Sequence, residues 1–154
     1  MANRNGQGFG LIPAGTLGGS PSIQGQGKYK IDAGHSTTIY NGECVKISSG
    51  YVVGGNGSAA DILGVLNGIF FNAATTLKPT FSNFYKATIT PANSEDTTAF
   101  VIDNPFQQYV VAADDATGVT TFLETYDMNA SAGSDTTGKS SSTLDIATTS
   151  ANGK

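Results

Sequence analysis

The most apolar run of the chain is ILGVLNGIFF, residues 62–71. Two glycines, Gly64 and Gly68, and the polar Asn67 interrupt it. Glycine inside a helix costs roughly 1 kcal/mol relative to alanine, so this composition argues against a helix. A strand accommodates an interior glycine where it bulges or where another backbone comes close. The run therefore predicts a buried β-strand with a bulge or a close backbone approach.

Short strand-like segments and turns lie on both sides of this run. Turn signals recur about every 8–12 residues, and no segment has the 3.6-residue periodicity of a long helix. The pattern predicts a mainly β chain, folded as a small antiparallel β-sandwich or β-barrel. The predicted strands are residues 29–31, 37–40, 44–47, 51–53, 62–71, 84–89, 98–102, 106–112, 119–123 and 143–146.

The predicted core consists of apolar side chains from these strands and the segments beside them. It is modest for 154 residues, so we expect stability to depend partly on neighbouring subunits. Its members are Ile31, Ile39, Val45, Ile47, Val53, Leu63, Val65, Ile69, Phe71, Tyr85, Ile89, Phe100, Ile102, Phe106, Val110 and Phe122.

Composition divides the chain into three regions. Residues 1–27 are rich in glycine and lack a periodic apolar pattern, which predicts an extended N-terminal docking arm that becomes ordered against a surface. Residues 28–126 hold most of the predicted strands and form the β domain. Residues 127–154 are dominated by Ser, Thr, Asp and Gly, which predicts a polar Ser/Thr-rich C-terminal tail with one weak strand.

The overall composition excludes several classes of protein. Gly, Thr, Ser and Asn fill 64 of 154 positions and 13% of residues are charged, about half the usual share. Too few Glu, Lys and Arg residues are present for a coiled coil. No apolar run is long enough for a membrane span, and the first residues lack the apolar segment of a secretory signal. The acidic net charge of −4 argues against nucleic acid as a partner.

The charges are distributed unevenly along the chain. Residues 1–90 hold six Lys or Arg and three acidic residues, whereas residues 91–154 hold two Lys and nine acidic residues. One interpretation is chance scatter at low charge density. The other is a molecule with two electrostatic ends, suited to docking on a repetitive partner.

The residues that could act as a catalytic base or nucleophile are few. His35 is the only histidine and lies in a turn-like stretch, so we expect a surface histidine rather than a general base. Cys44 lies beside Glu43, whose charge disfavours a thiolate, so we expect a buried, inert thiol. A single cysteine excludes an intrachain disulfide. The sequence therefore predicts a protein that is not an enzyme and that binds no cofactor and no metal.

Two other functions remain open at this stage. The acidic pairs Glu95–Asp96 and Asp114–Asp115 are compatible with a small hydrolase, although neighbouring residues on a strand point to opposite faces. Aromatic residues are numerous enough to line a sugar-binding face, although Trp, the strongest stacking side chain, is absent. These aromatic residues are Tyr29, Tyr40, Tyr51, Phe70, Phe71, Phe81, Phe84, Tyr85, Tyr109 and Tyr126.

A series of short motifs resembles one protein family in content and order. The chain departs from the family pattern at Glu43, Asn104 and Met128. The matching segments are FGLIP (9–13), GSP (19–21), YKI (29–31), IYNGECV (39–45), LGV (63–65), VIDNPF (101–106), YDMNA (126–130) and GKSSSTLD (138–145). On these motifs the chain resembles the capsid decoration, or cement, proteins of tailed bacteriophages.

The resemblance implies a β-rich virion protein on the outer surface of the capsid, made in the cytoplasm of a bacterial host. Its expected partners are the major capsid protein and other copies of itself, as a trimer or dimer, with neither nucleic acid nor membrane. Expected contacts of the arm are Phe9, Leu11, Ile12 and Pro13, and those with an acidic capsid face are Arg4, Lys28 and Lys30. The alternative function is a carbohydrate-binding module of a phage fibre or surface protein.

Overall fold

A computed structural model describes residues 8–18, 25–55, 62–130 and 133–149. These residues form antiparallel β-sheets and two short 3-10 turns, at Ala92–Ser94 and Val119–Thr121, which confirms the prediction of a mainly β chain. Within the described ranges no helix is long and apolar enough to cross a membrane. The strands are β1 (Ile12–Thr16), β2 (Gln26–Ile31), β3 (Cys44–Ser48), β4 (Tyr51–Gly54), β5 (Gly64–Asn72), β6 (Pro79–Ser82), β7 (Thr97–Ile102), β8 (Gln107–Val110), β9 (Tyr126–Asn129) and β10 (Thr143–Thr149).

The main sheet has the strand order β2-β7-β5-β3-β4, with β6 paired to the outer part of β5. The edge strands β2 and β4 approach each other, but no strand pairing joins them. The described residues therefore form no closed barrel, which was one of the two predicted architectures. Two smaller antiparallel sheets, β1 with β8 and β9 with β10, complete the structure.

Strand β5 confirms the prediction made from the apolar run. Its pairing with β7 shifts register between Leu66 and Gly68, which is the expected bulge. Gly68 has a φ of 151°, and a Cβ placed on Gly64 would overlap the carbonyl oxygen of Ile102 on β7. Because of the bulge, Leu66 and Ile69 both face the buried core, although strict alternation would place residues three apart on opposite faces. The two glycines thus permit the close packing of β5 against its neighbours.

The buried core lies on the inner face of the main sheet. Tyr85 is its largest member, and its hydroxyl donates a hydrogen bond to the carbonyl oxygen of His35 at 2.9 Å. Leu63, Phe71 and Ile89 pack against the core while partly buried. The predicted core residues that are buried are Ile31, Ile39, Val45, Val65, Ile69, Tyr85 and Ile102, and buried residues that the prediction omitted include Cys44, Val52, Leu66, Ala92, Ala99 and Val101.

Four predicted core residues are exposed instead: Ile47, Phe106, Val110 and Phe122. Ile47 lies next to the β3–β4 turn at the edge of the sheet. Phe106 and Val110 lie on the outward side of the β8 segment, whose inward side holds Tyr109. Val53 and Phe100 are half-buried, because alternation along their strands places Val52, Ala99 and Val101 inside.

Three predicted strands are wrong. Residues 37–40 and 84–89 form only an isolated bridge, Ile39 with Tyr85, whose backbone N–H groups donate to each other's carbonyl oxygens at 2.9 Å. The third, residues 119–123, contains a 3-10 turn instead of a strand. Strands β1, β6 and β9 were not predicted.

The described parts of the predicted arm and tail pack on the rest of the chain. Residues 12–16 of the arm form β1, and the predicted strand at 143–146 lies within β10, paired to β9. Ser140 and Ser142 are buried, with their hydroxyl oxygens 2.8 Å apart. Arg4 and the GSP motif at residues 19–21 lie outside the described residues.

Candidate binding surfaces

The N-terminal segment is held against its own domain by backbone hydrogen bonds. The N–H of Gly10 donates to the carbonyl of Ser142 at 3.3 Å, and the N–H of Leu11 donates to the carbonyl of Gly42 at 2.8 Å. Gly10 has a φ of 73°, and a Cβ there would lie 2.6 Å from the oxygen of Gly42. Glycine at this position therefore allows the segment to lie directly on the turn that contains Gly42.

The structure brings the four predicted arm contacts together. Phe9, Leu11, Ile12 and Pro13 all line one open pocket of about 140 Å³, whose wall includes residues of β5, the end of β7 and Lys139. Phe9, Leu11 and Pro13 are half-buried there, whereas Ile12 is exposed. Three of the predicted contacts thus face the domain itself, and Ile12 is the one most available to a partner.

Ile12 belongs to an exposed apolar surface made by β1 and β8. Ile12 lies opposite Val110, and the N–H of Leu17 donates to the carbonyl of Phe106 at 2.9 Å. These four side chains are 45–68% exposed. We call Ile12, Leu17, Phe106 and Val110 the apolar ribbon. Among the described residues β1 pairs as a strand only with β8.

Lys28 and Lys30 lie on the outer face of the main sheet beside phenylalanine side chains. Lys28 is opposite Phe100, whose ring centroid is 6.1 Å from that of Phe81. Phe81 is opposite Phe70 and is 65% exposed. We call Lys28, Lys30, Phe70, Phe81 and Phe100 the lysine–phenylalanine face.

The charge of this face is concentrated at the β2 edge. Lys30 donates a hydrogen bond to the Thr98 hydroxyl at 3.1 Å, and Glu95 and Asp96 line a groove next to it. Lys28 lies further along the strand from those acids. Neither lysine forms an ion pair within the described ranges, so both are available to an acidic partner.

A third apolar surface lies between β8 and β9. Val119, Phe122 and Leu123 are 94%, 75% and 88% exposed, and we call them the apolar loop. The segment contains a 3-10 turn in which the Thr121 hydroxyl donates to the carbonyl of Gly118 at 2.7 Å. Apolar side chains this exposed gain none of the free energy that burial would provide as long as the chain is alone. The loop is therefore a candidate contact with another molecule.

Cys44 is buried, as expected from the sequence. It is 5% exposed, and burial together with the nearby charge of Glu43 raises its pKa to about 11. The Glu43 carboxylate accepts a hydrogen bond from the backbone N–H of Tyr40 at 2.8 Å, while burial raises its own pKa. This environment keeps the thiol protonated at neutral pH and unsuited to nucleophilic attack.

His35 differs from the expected surface histidine. Its ring packs against Tyr85 with 5.6 Å between ring centroids, and its Nε2 atom is buried without a hydrogen-bond partner among the described residues. Burial lowers the pKa of the imidazole, an effect that the charge of Asp32 partly offsets. The sequence predicted a surface side chain, but the structure places a partly buried ring at the edge of the core.

This burial makes stability sensitive to pH. Because the folded-state pKa of His35 lies below the unfolded value of about 6.5, the unfolded chain binds more protons as pH falls through 6.5. We expect the melting temperature of the wild type to fall more steeply from pH 7.5 to 5 than that of His35→Gln. Equal slopes in thermal unfolding followed by circular dichroism would contradict this prediction.

The two acidic pairs lie in different surroundings. Asp96 accepts a hydrogen bond from the N–H of Ala33 at 3.3 Å, and Asp114 accepts one from the N–H of Ile146 at 3.0 Å. In the part of the chain that the structure describes, no group of three or more His, Cys, Asp or Glu side chains is placed to hold a metal ion. Nothing in this geometry joins the pairs into one site.

No protein-family model, curated protein or solved structure matches this chain. The candidate surfaces therefore rest on geometry alone. Sequence reasoning named Ile12, Lys28 and Lys30 as partner contacts and Phe81 as a possible sugar-binding residue, but it placed Phe100 in the core and missed the exposure of the 119–123 loop. Alternation along β7 could have placed Phe100 on the outer face, because it lies two residues from the polar Thr98. Lys28, its partner on β2, is also polar.

Proposed function

We propose that this chain is a non-enzymatic structural protein that decorates the outer surface of a tailed-bacteriophage capsid and bridges major capsid protein subunits. The proposal includes a small sandwich-like β domain with a docking N-terminal arm and a polar C-terminal tail. The observation that carries it is the apolar ribbon, in which the N-terminal segment and the β8 segment present exposed apolar side chains side by side. The motif resemblance supplies the identity of the partner.

The ribbon offers an apolar contact to a capsid subunit. Burying apolar side chains contributes about 25 cal/mol for each Å² removed from water. A decoration protein is present in many copies on one particle, so modest contacts per copy still stabilise the shell as a whole.

Charge substitutions on the ribbon test this function. We expect Ile12→Asp with Leu17→Asp to weaken binding to undecorated heads about 30-fold, because two apolar contacts of about 1 kcal/mol each are replaced by charges that resist burial. Binding is measured by co-sedimentation with heads that lack the protein. Both side chains are exposed, so the fold should be retained.

The matched control is Ile62→Asp with Leu77→Asp, which adds the same charges at exposed apolar positions away from the ribbon. The control should bind heads as the wild type does. Equal binding by the ribbon variant and the wild type would exclude the ribbon as the docking site. Failure of the wild type to bind any head would argue against the decoration function itself.

The lysine–phenylalanine face favours the second candidate function, carbohydrate binding. Phe70 and Phe81 lie on one sheet face with Phe100, the arrangement that a stacking platform needs. Other aromatic side chains are engaged elsewhere, such as Tyr29, whose hydroxyl donates to Asp103 at 2.7 Å. Binding of the wild type to an array of bacterial surface glycans, without binding to heads, would favour this function.

A further inference from the structure

Acidic residues flank the apolar loop in the sequence. Residues 111–130 contain four acidic side chains and no Lys or Arg. Asp115 and Glu124, which flank the loop in sequence, are both exposed. Whatever covers Val119, Phe122 and Leu123 should therefore be apolar at its centre and basic at its edge.

The lysine–phenylalanine face has that composition. Phe70, Phe81 and Phe100 form its apolar part, and Lys28 and Lys30 lie along its β2 edge. The acids Glu95 and Asp96 lie near Lys30, so the most favourable approach for an acidic group is at Lys28. The two surfaces are thus complementary in both charge and apolar character.

We propose that copies of this chain associate head to tail, with the apolar loop of one copy docked on the lysine–phenylalanine face of the next. The two surfaces are different parts of the chain, so the contact is heterologous. In an open assembly, each terminal copy keeps one surface free. Such contacts close into a ring or continue as a chain.

This association requires no capsid, because both contacting surfaces belong to copies of this chain. An acidic capsid surface is the competing partner for Lys28 and Lys30. The test therefore uses the purified full-length protein without heads, so that its outcome does not depend on the decoration function.

Two charge-reversal variants test the contact. One is Lys28→Glu with Lys30→Glu, which makes the face acidic, and the other is Asp115→Lys with Glu124→Lys, which makes the loop basic. We expect the wild type to self-associate in analytical ultracentrifugation at about 50 mM salt and to dissociate at about 0.5 M, where surface charges are screened. Each variant alone should associate at least tenfold more weakly, because its two surfaces then carry the same charge.

An equimolar mixture of the two variants provides the decisive measurement. Each surface then meets an oppositely charged surface on the other variant, so association should return. A misfolded variant would not be rescued in this way. The control variant Lys46→Glu with Lys78→Glu makes the same change in net charge elsewhere and should associate as the wild type does.

The proposal is overturned by any of three results. The wild type remains monomeric at millimolar concentration, each reversed variant associates as well as the wild type, or the mixture fails to associate although both variants keep the wild-type circular dichroism spectrum. If the Lys28→Glu, Lys30→Glu variant self-associates normally but no longer binds heads, the face belongs to the capsid contact instead.

Discussion

Replacing Gly64 by alanine is expected to lower the free energy of unfolding by about 4 kcal/mol, near the upper end for single substitutions. A Cβ on Gly64 would overlap the carbonyl oxygen of Ile102 and lie 2.9 Å from Cγ1 of Val101. The obstructing atom is backbone of the paired strand β7, so it cannot rotate away. Relief requires β5 and β7 to separate at the centre of the main sheet.

This loss is large enough to be measured by thermal unfolding. For a chain of this length it corresponds to a fall in melting temperature of roughly 8–16 °C. The matched control is Gly118→Ala, because the nearest atom to a Cβ there is 4.0 Å away and the backbone φ of −130° suits any residue. The control should stay within about 0.5 kcal/mol of the wild type. A Gly64→Ala protein with the same melting temperature as Gly118→Ala would refute the close approach of β5 and β7.

The position of Gly64 also indicates which features of the fold local sequence determines. A run of apolar residues interrupted by glycine is compatible with few structures, so the β5 strand and its bulge were predictable. The turns at Asn41–Gly42 and Ser49–Gly50 were predictable for a similar reason, since Gly42 and Gly50 adopt φ values of 80° and 86° that other residues rarely tolerate.

Features that depend on distant residues were not predictable in this way. Strand β1 exists because Ile12 pairs with Val110, nearly the whole β domain away in sequence. Phe122 has the large apolar side chain of a core residue, yet the residues around it form a turn that faces solvent. Local pattern gives the apolar character of a side chain, but its partners come from tertiary packing.

The candidate surfaces also contain parts that the local sequence indicates and parts that depend on tertiary packing. The arm contacts at residues 9–13 were predictable as a group because apolar residues in a glycine-rich segment need a surface to bind. The sequence did not show that this surface is the turn at Gly42 and the pocket beside it. The phenylalanines next to Lys28 come from β5, β6 and β7, which only the sheet order brings together.

The segment at residues 8–18 changes what deletion of the predicted arm should do. From sequence alone, removing residues 1–27 should leave a folded domain that no longer binds heads. The structure adds that removal also uncovers the pocket, deletes the first two residues of β2 and leaves β8 without its described partner. A point substitution that releases the segment is therefore a sharper experiment than truncation.

Gly10→Val is expected to release the N-terminal segment and to weaken binding to heads at least 100-fold. Valine is strongly disfavoured at a φ of 73°, and its Cβ would lie 2.6 Å from the oxygen of Gly42 and 2.9 Å from Cβ of Ser140. Without the segment, Ile12 and Leu17 leave the ribbon. Release would appear as rapid proteolysis near residue 17 while the main sheet stays intact.

The control for this substitution lies in the same segment. At Gly15 the only atom near a Cβ is Oε1 of Gln108 at 3.9 Å, so Gly15→Val should keep both the segment and binding to heads. If Gly10→Val releases the segment but binds heads as the wild type does, the ribbon is not the docking surface. If it binds and also resists proteolysis, the segment does not pack on Gly42. Loss of binding in Gly10→Val alone would tie attachment of β1 to decoration, because the two variants add the same side chain five residues apart.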